Sequence, residues 1–284
     1  MLERCLASIP KRTDIQIIVV EDECGRGAGW ARNIGLKQAK GKWLIFADAD
    51  DFFNPDFEFA LDKYVDNDAD MICFATNSVL SDNAELLCTT RLQSLLIENV
   101  WFSMGERIKA AKKQNNPDII RYDTGVVWGR FVKRELIEKN RIKFQETICR
   151  NDTFFSIQLG CTAKEILLDD ALAVYCYTKR DGSIMSLRTK KDERVRFFVA
   201  KTCMKYLRKH KQGFDIFNSD FIFHWNKLKT IDGKYFIKQF PSVLLLTTKK
   251  EKAAKDFWKF IKTETKKLRN NSFLHILILI FIIY

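Results

Sequence analysis

Three carboxylates, Asp48, Asp50 and Asp51, arrive together at the end of the stretch Gly41-Lys42-Trp43-Leu44-Ile45-Phe46-Ala47 and are followed by Phe52 and Phe53. Trp43 to Ala47 is a short apolar run that reads as a buried strand, so the acids fall where that strand stops. Oxygen donors of this kind suit Mg²⁺ or Mn²⁺. In an open α/β sheet the crevice beyond the carboxyl ends of the strands is where ligands bind. Spacing by itself carries no weight, because Asp66/Asp68 and Asp68/Asp70 repeat the same acid-x-acid pattern. Those two lie in Val65-Asp66-Asn67-Asp68-Ala69-Asp70, a polar connection that reads as a solvated turn.

The elements that must position the acids follow in chain order. Leu2, Cys5, Leu6 and Ile9 share one helix face, and Pro10 is placed to stop it. Ile15 to Val20 is a β-branched strand ending in Glu21-Asp22, and Gly25, Gly27 and Gly29 form a loop before a helix from Trp30 to Lys40. The glycines do not make a dinucleotide fingerprint, since Gly-x-Gly-x-Gly lacks its final spacing. Asn54-Pro55-Asp56 offers an N-cap, a proline at the first helical position and an acid in the first turn, for a helix to about Tyr64. Further strands are expected at Met71–Ala75, Gly125–Val132 and Ala171–Tyr177. Helices are expected at Leu92–Ile97, Met104–Lys113, Arg134–Lys139 and Asp152–Leu159. The α, β, α, β order favours an α/β fold with a mostly parallel sheet flanked by helices.

With 284 residues, 46% of them hydrophobic, the chain can bury a sizeable core and is globular. Its eight cysteines contain no Cys-x-x-Cys pair and several sit in apolar runs, so they read as reduced, mostly buried thiols of a reducing, cytoplasmic compartment. The N-terminus has no basic start followed by an apolar stretch, so it is no secretory signal. A net charge of +12 raises the question of nucleic acid, yet residues 249–269 alone hold nine Lys or Arg against three acids, half of the excess. The domain with the aspartates carries no zinc spacing, RNA-binding aromatic motif or basic stripe, which argues against a nucleic-acid partner.

Several ordered motifs resemble one known family. Ile17-Ile18-Val19-Val20-Glu21-Asp22, then Gly29-Trp30-Ala31-Arg32-Asn33-Ile34-Gly35-Leu36, then Phe46-Ala47-Asp48-Ala49-Asp50-Asp51 look like the nucleotide-binding half of family 2 glycosyltransferases of the GT-A fold. Trp128-Gly129-Arg130-Phe131 and Asn151-Asp152-Thr153-Phe154-Phe155 resemble that family's later segments, so the similarity covers roughly residues 1–185.

The resemblance implies a nucleotide-sugar donor, with UDP-sugar the default, bridged to the aspartates by Mn²⁺ or Mg²⁺. It implies Asp50 as the main metal ligand, Asp48 near the ribose or a metal-bound water, and Asp51 as a weaker ligand. It assigns base contact to Asp22 and a nucleotide contact to Arg32; the competing readings are a strand-end turn for Asp22 and a surface salt bridge for Arg32. Asp152 matches the family's catalytic aspartate, a general base for an acceptor hydroxyl, although an ordinary helix N-cap would look the same. Where the family often has an acid just before that aspartate, this chain has Asn151. Arg180 and Ser183 form either a loop over the diphosphate or a polar surface turn. The implied acceptor is a saccharide or a lipid-linked saccharide, and the implied outcome is inversion in cell-surface polysaccharide synthesis. The family normally opens with an apolar strand that this chain lacks ahead of its first helix, so a start upstream of Met1 is expected; a catalytically inert sugar-nucleotide-binding or scaffold protein is the competing consequence.

Three regions are therefore expected: a GT-A domain over 1–188, a helical extension over 189–248, and a basic amphipathic segment with an apolar tail over 249–284. The tail, Phe273 to Tyr284, has 12 residues, too few for a spanning helix of about 20. A basic segment followed by such a tail suits peripheral docking on an anionic membrane face, against the alternative of a helix packed on the core.

Overall fold

The computed structural model describes residues 1–80, 104–179 and 189–247. The expected helix at Leu92–Ile97, the Arg180/Ser183 loop and the whole basic segment and tail lie outside the described residues. Two compact units are present, Met1–Lys227 and a second one beginning at Leu228. Seven cysteines are described and all are free, five of them buried.

In the first unit the helices are α1 (Leu2–Ala7), α2 (Ala28–Gln38), α3 (Asp56–Tyr64), α4 (Met104–Lys113), α5 (Asp118–Tyr122), α6 (Arg134–Asn140), α7 (Thr153–Thr162) and α8 (Lys190–His210). The ninth, α9 (Phe214–Ile231), begins in this unit, and α10 (Gly233–Thr247) belongs to the second. No described helix is long and apolar enough to cross a membrane. The strands are β1 (Trp43–Leu44), β2 (Phe52–Phe53), β3 (Met71–Leu80), β4 (Arg130–Lys133) and β5 (Ile166–Lys179), in the order β1-β4-β3-β5-β2.

The α/β class and the helix-flanked sheet are as the sequence leads one to expect, while the pairing is mixed. β3 and β5 run parallel, and β1–β4, β3–β4 and β2–β5 are antiparallel. The difference has a local origin: Ile15–Val20, read as a parallel strand, joins no ladder among the described residues, and Ile17 and Val19 are exposed. Only Trp43–Leu44 of the aspartate-bearing run is paired, to Lys133 and Val132 of β4. Ile45 to Ala47 continue without ladder bonds, which leaves the following acids on a turn and not on a strand end.

Helix boundaries track their punctuation. Asn54 caps α3 by accepting the Asp56 N–H at 3.3 Å, and its carbonyl accepts from Phe57 at 2.8 Å. α8 opens with a capping box in which Thr189 and Asp192 bond reciprocally. The core beneath the sheet is aromatic: Phe53 stacks on Phe57 at 4.2 Å, and Phe131 sits among Phe57, Phe74 and Trp43. A second aromatic group matters more for the site. Phe144 stacks on Phe155 of α7 at 3.8 Å, and Phe46 meets both rings edge-on at 5.2 and 5.6 Å. The run leading to the aspartates is thereby held against the start of α7.

Candidate active site

The acids occupy a tight turn, with the Asp51 N–H bonded to the Asp48 carbonyl at 3.0 Å. One carboxylate oxygen from each of Asp48, Asp50 and Asp51 falls within 4.8 Å of the others. Ligands of a single Mg²⁺ at about 2.1 Å lie roughly 3 Å apart when adjacent and about 4.2 Å apart when opposite, so the acids must draw together to close on one cation. The donor set is all hard oxygen, which fits Mg²⁺ or Mn²⁺.

The three acids are not equivalent. Asp48 and Asp50 are half-buried and line a cavity of about 1300 Å³. Asp51 lies behind that wall at 1% exposure, and its two oxygens accept the Tyr175 hydroxyl and the Thr178 N–H, both at 2.7 Å. Burial pushes the Asp51 carboxyl up to about 8, against the pull of those two hydrogen bonds. The Tyr175 oxygen also accepts the Asp48 N–H at 2.9 Å. A hydroxyl on β5 thus bonds both ends of the turn, and Trp128 stacks on that tyrosine at 5.4 Å. Tyr175→Phe should strand the Asp51 oxygen and the Asp48 N–H together and cost about 1–3 kcal/mol of stability, measured by urea unfolding. A loss below about 0.5 kcal/mol would mean that the turn does not depend on this bond.

Arg32 connects the aspartate turn to the other half of the cavity. Its guanidinium donates to Asp48 Oδ1 and to Asn151 Oδ1, both at 2.5 Å, and lies over the Phe144 ring at 5.4 Å. The pair is mostly enclosed on the arginine side, with the Arg32 side chain 15% exposed. Burial opposes the Arg32 charge, but Asp48 and Asp152 outweigh it and raise the pKa. This is no surface salt bridge; it orients Asp48 and marks the approach to Asp152.

Asp152 is the residue before the first turn of α7, yet its side chain makes no capping hydrogen bond. Its carboxylate lines the same cavity as Asp48 and Asp50. Burial raises its pKa; Arg32 pulls the other way and Asp48 adds to the rise. Asn151, the departure from the acid expected there, supplies the neutral oxygen that Arg32 uses. The close approach of α2 to this segment depends on Gly29, where a Cβ would stand 2.1 Å from the Gln145 carbonyl oxygen and 3.0 Å from the Asn151 side chain.

Asp22 stands at the glycine loop. Its two oxygens accept the Arg26 and Gly27 N–H groups at 2.9 and 2.5 Å, closing the glycine loop that starts α2, and it does not line the cavity. Sequence reasoning missed Tyr175. Nothing in Val174-Tyr175-Cys176-Tyr177 announces that one hydroxyl will face a turn more than 120 residues earlier.

The model of the family described as "Glycosyl transferase family 2" matches residues 2–139. The matched span is just under half of this chain. Among curated relatives, a poly(ribitol-phosphate) beta-glucosyltransferase of Bacillus spizizenii is 25% identical over 177 residues, 60% of this chain and 24% of that protein. The poly(ribitol-phosphate) beta-N-acetylglucosaminyltransferase TarS of Staphylococcus aureus is 23% identical over 180 residues, 62% of this chain and 27% of that one. The chain thus spans about a quarter of the length of these two relatives. The uncharacterized glycosyltransferase EpsJ of Bacillus subtilis is 25% identical, covering 61% of this chain and 56% of EpsJ. A crystal structure of S. aureus TarS 1–349 in complex with UDP-GlcNAc superposes with a TM-score of 0.49 at 22% identity, covering 78% of this chain and 60% of that one. The aspartate turn and Arg32 fall inside the matched span, and Asp152 falls after it.

Proposed function

We propose that this chain transfers a sugar from a nucleotide-diphosphate sugar, with UDP-sugar the default, to an acceptor hydroxyl with inversion at the anomeric carbon. The observation that carries the reading is that Asp48, Asp50, Arg32 and Asp152 line one cavity, with Arg32 bonded to the aspartate turn and to the residue beside Asp152. Asp48 and Asp50 would hold Mg²⁺ or Mn²⁺, and a bound cation supplies charge neutralisation for the departing diphosphate.

The chain's own residues do the rest. Tyr175 and Asp51 fix the turn that presents Asp48 and Asp50 to the cavity. Arg32 offers a fixed positive charge beside the site of the nucleotide. Asp152, with no capping bond to satisfy, accepts the proton of the acceptor hydroxyl as that oxygen attacks from the face opposite the diphosphate. In this reading Asp22 meets the base through the lone pairs that its two loop N–H bonds leave open.

The printed names of the relatives point to a polyol-phosphate or other cell-surface polymer as acceptor, alongside a lipid-linked saccharide. Work on such acceptors would place the protein at the inner membrane face, with the basic segment as its contact.

The test is a donor screen. The full chain is incubated with UDP-, GDP- and dTDP-sugars and Mn²⁺, and nucleotide release is followed with and without a polyol-phosphate acceptor. Metal-dependent release from one donor class is expected. No release from any donor would sink the reading.

A further inference from the structure

The cavity wall holds more positive charge than the transfer step uses. Arg150, two residues before Asp152, has a φ of 54°, in the left-handed region that favours glycine. Two parallel hydrogen bonds to Asp220 of α9, at 3.0 and 2.7 Å, hold it there, and its Nε reaches Thr153 Oγ1 at 3.3 Å. Cys149 Sγ lies 3.9 Å from the Asp192 carbonyl, which brings the start of α8 against the segment that carries Asp152.

Arg196 follows Asp192 by one helical turn. It is 2% exposed and lines the same cavity, and its Nε and Nη2 have no hydrogen-bond partner among the described residues. A guanidinium cannot discharge, so leaving its buried N–H groups without acceptors is costly. Among the neighbouring acids, Asp220 bonds Arg150, Glu193 bonds His224 Nδ1 through its Oε1 at 2.8 Å, and Asp192 bonds the Thr189 cap.

We propose that Arg196 forms an anion subsite that receives a phosphate of the acceptor. This deepens the transferase reading and rests on it. The acceptor is favoured over the donor because Arg196 adjoins the segment of Asp152, where the reacting hydroxyl must sit, whereas Arg32 already serves the aspartate turn. Arginine suits the task, since its planar fork matches two phosphate oxygens at once. The acceptor class is then a phosphate-bearing polymer or lipid and not a neutral saccharide.

The test uses the full chain and inorganic phosphate as probe, by calorimetry, with the donor site first saturated with UDP and Mg²⁺. Phosphate should still bind. Arg196→Gln should weaken phosphate at least about tenfold and leave UDP affinity unchanged, and Arg196→Lys should give an intermediate loss because it keeps the charge but not the fork. Absence of phosphate binding to the UDP-loaded wild type overturns the proposal. A parallel fall in UDP affinity also overturns it, because the arginine would then serve the donor diphosphate. If Arg196→Gln does not fold, the comparison rests on Arg196→Lys at matched melting temperature, and an unchanged phosphate affinity there counts against the subsite. Should UDP fail to bind wild type while phosphate binding stays Arg196-dependent, the donor reading falls and the anion subsite stands.

Discussion

Asp152→Asn is expected to lower sugar transfer by about 10²–10⁴-fold while UDP binding stays as in wild type. The amide keeps the shape of the carboxylate but cannot take a proton, so the loss should appear in kcat. The pH profile gives a second check. Burial, opposed by Arg32 and reinforced by Asp48, places the Asp152 pKa above that of an ordinary aspartate. The base works only when ionised. Activity should therefore fall as pH drops, and begin to fall at a higher pH than a free carboxylate would give. Measuring kcat against pH, together with UDP affinity, decides the point: a variant that loses donor affinity in step with rate would make Asp152 a binding residue and remove it as the base.

Chelation and Asp50→Ala are expected to have the same effect on UDP binding, each weakening it at least about 100-fold, since residues that merely orient metal ligands already cost about 10–100-fold when changed. Asp50 and Asp48 line the cavity, and one carboxylate oxygen from each acid of the turn lies within 4.8 Å of the others. Without a cation they would repel a diphosphate. Calorimetry of wild type with UDP and Mn²⁺, with UDP and a chelator, and of Asp50→Ala with UDP and Mn²⁺ gives three numbers. Tight binding in the presence of chelator would show that Arg32 and the cavity walls hold the nucleotide alone, and the metal role of Asp50 would fall.

The local features of the fold are legible in the residues themselves. The stop at Pro10, the Asn54-Pro55-Asp56 helix start and the apolar periodicity of Met104–Lys113 are short-range signals, and α1, α3 and α4 obey them. The preference for Asp48-Ala49-Asp50-Asp51 over its two repeats also rests on local context, a buried run and flanking phenylalanines. Whatever depends on distant pairing is not legible in this way. The parallel sheet suggested by the opening alternation requires Ile15–Val20 to find a ladder, and β-branched composition cannot reveal that none forms among the described residues. Nor can the order of the acids show that Asp51 faces Thr178 and Tyr175 while its two neighbours face the cavity. Asp22 is a similar case: its position after an apolar run suggests a ligand contact, and only the three-dimensional arrangement shows it closing its own loop.

The Tyr175 hydroxyl also sets an order of events during synthesis. The acids are translated early, but the side chain and the Thr178 amide that hold their turn leave the ribosome more than 120 residues later. A nascent chain that has emerged only as far as α7 has every proposed metal ligand and cannot yet hold them in place. Folding of this site is therefore post-translational with respect to the acids themselves, and a chain released before β5 would carry the complete aspartate motif with no means of presenting it.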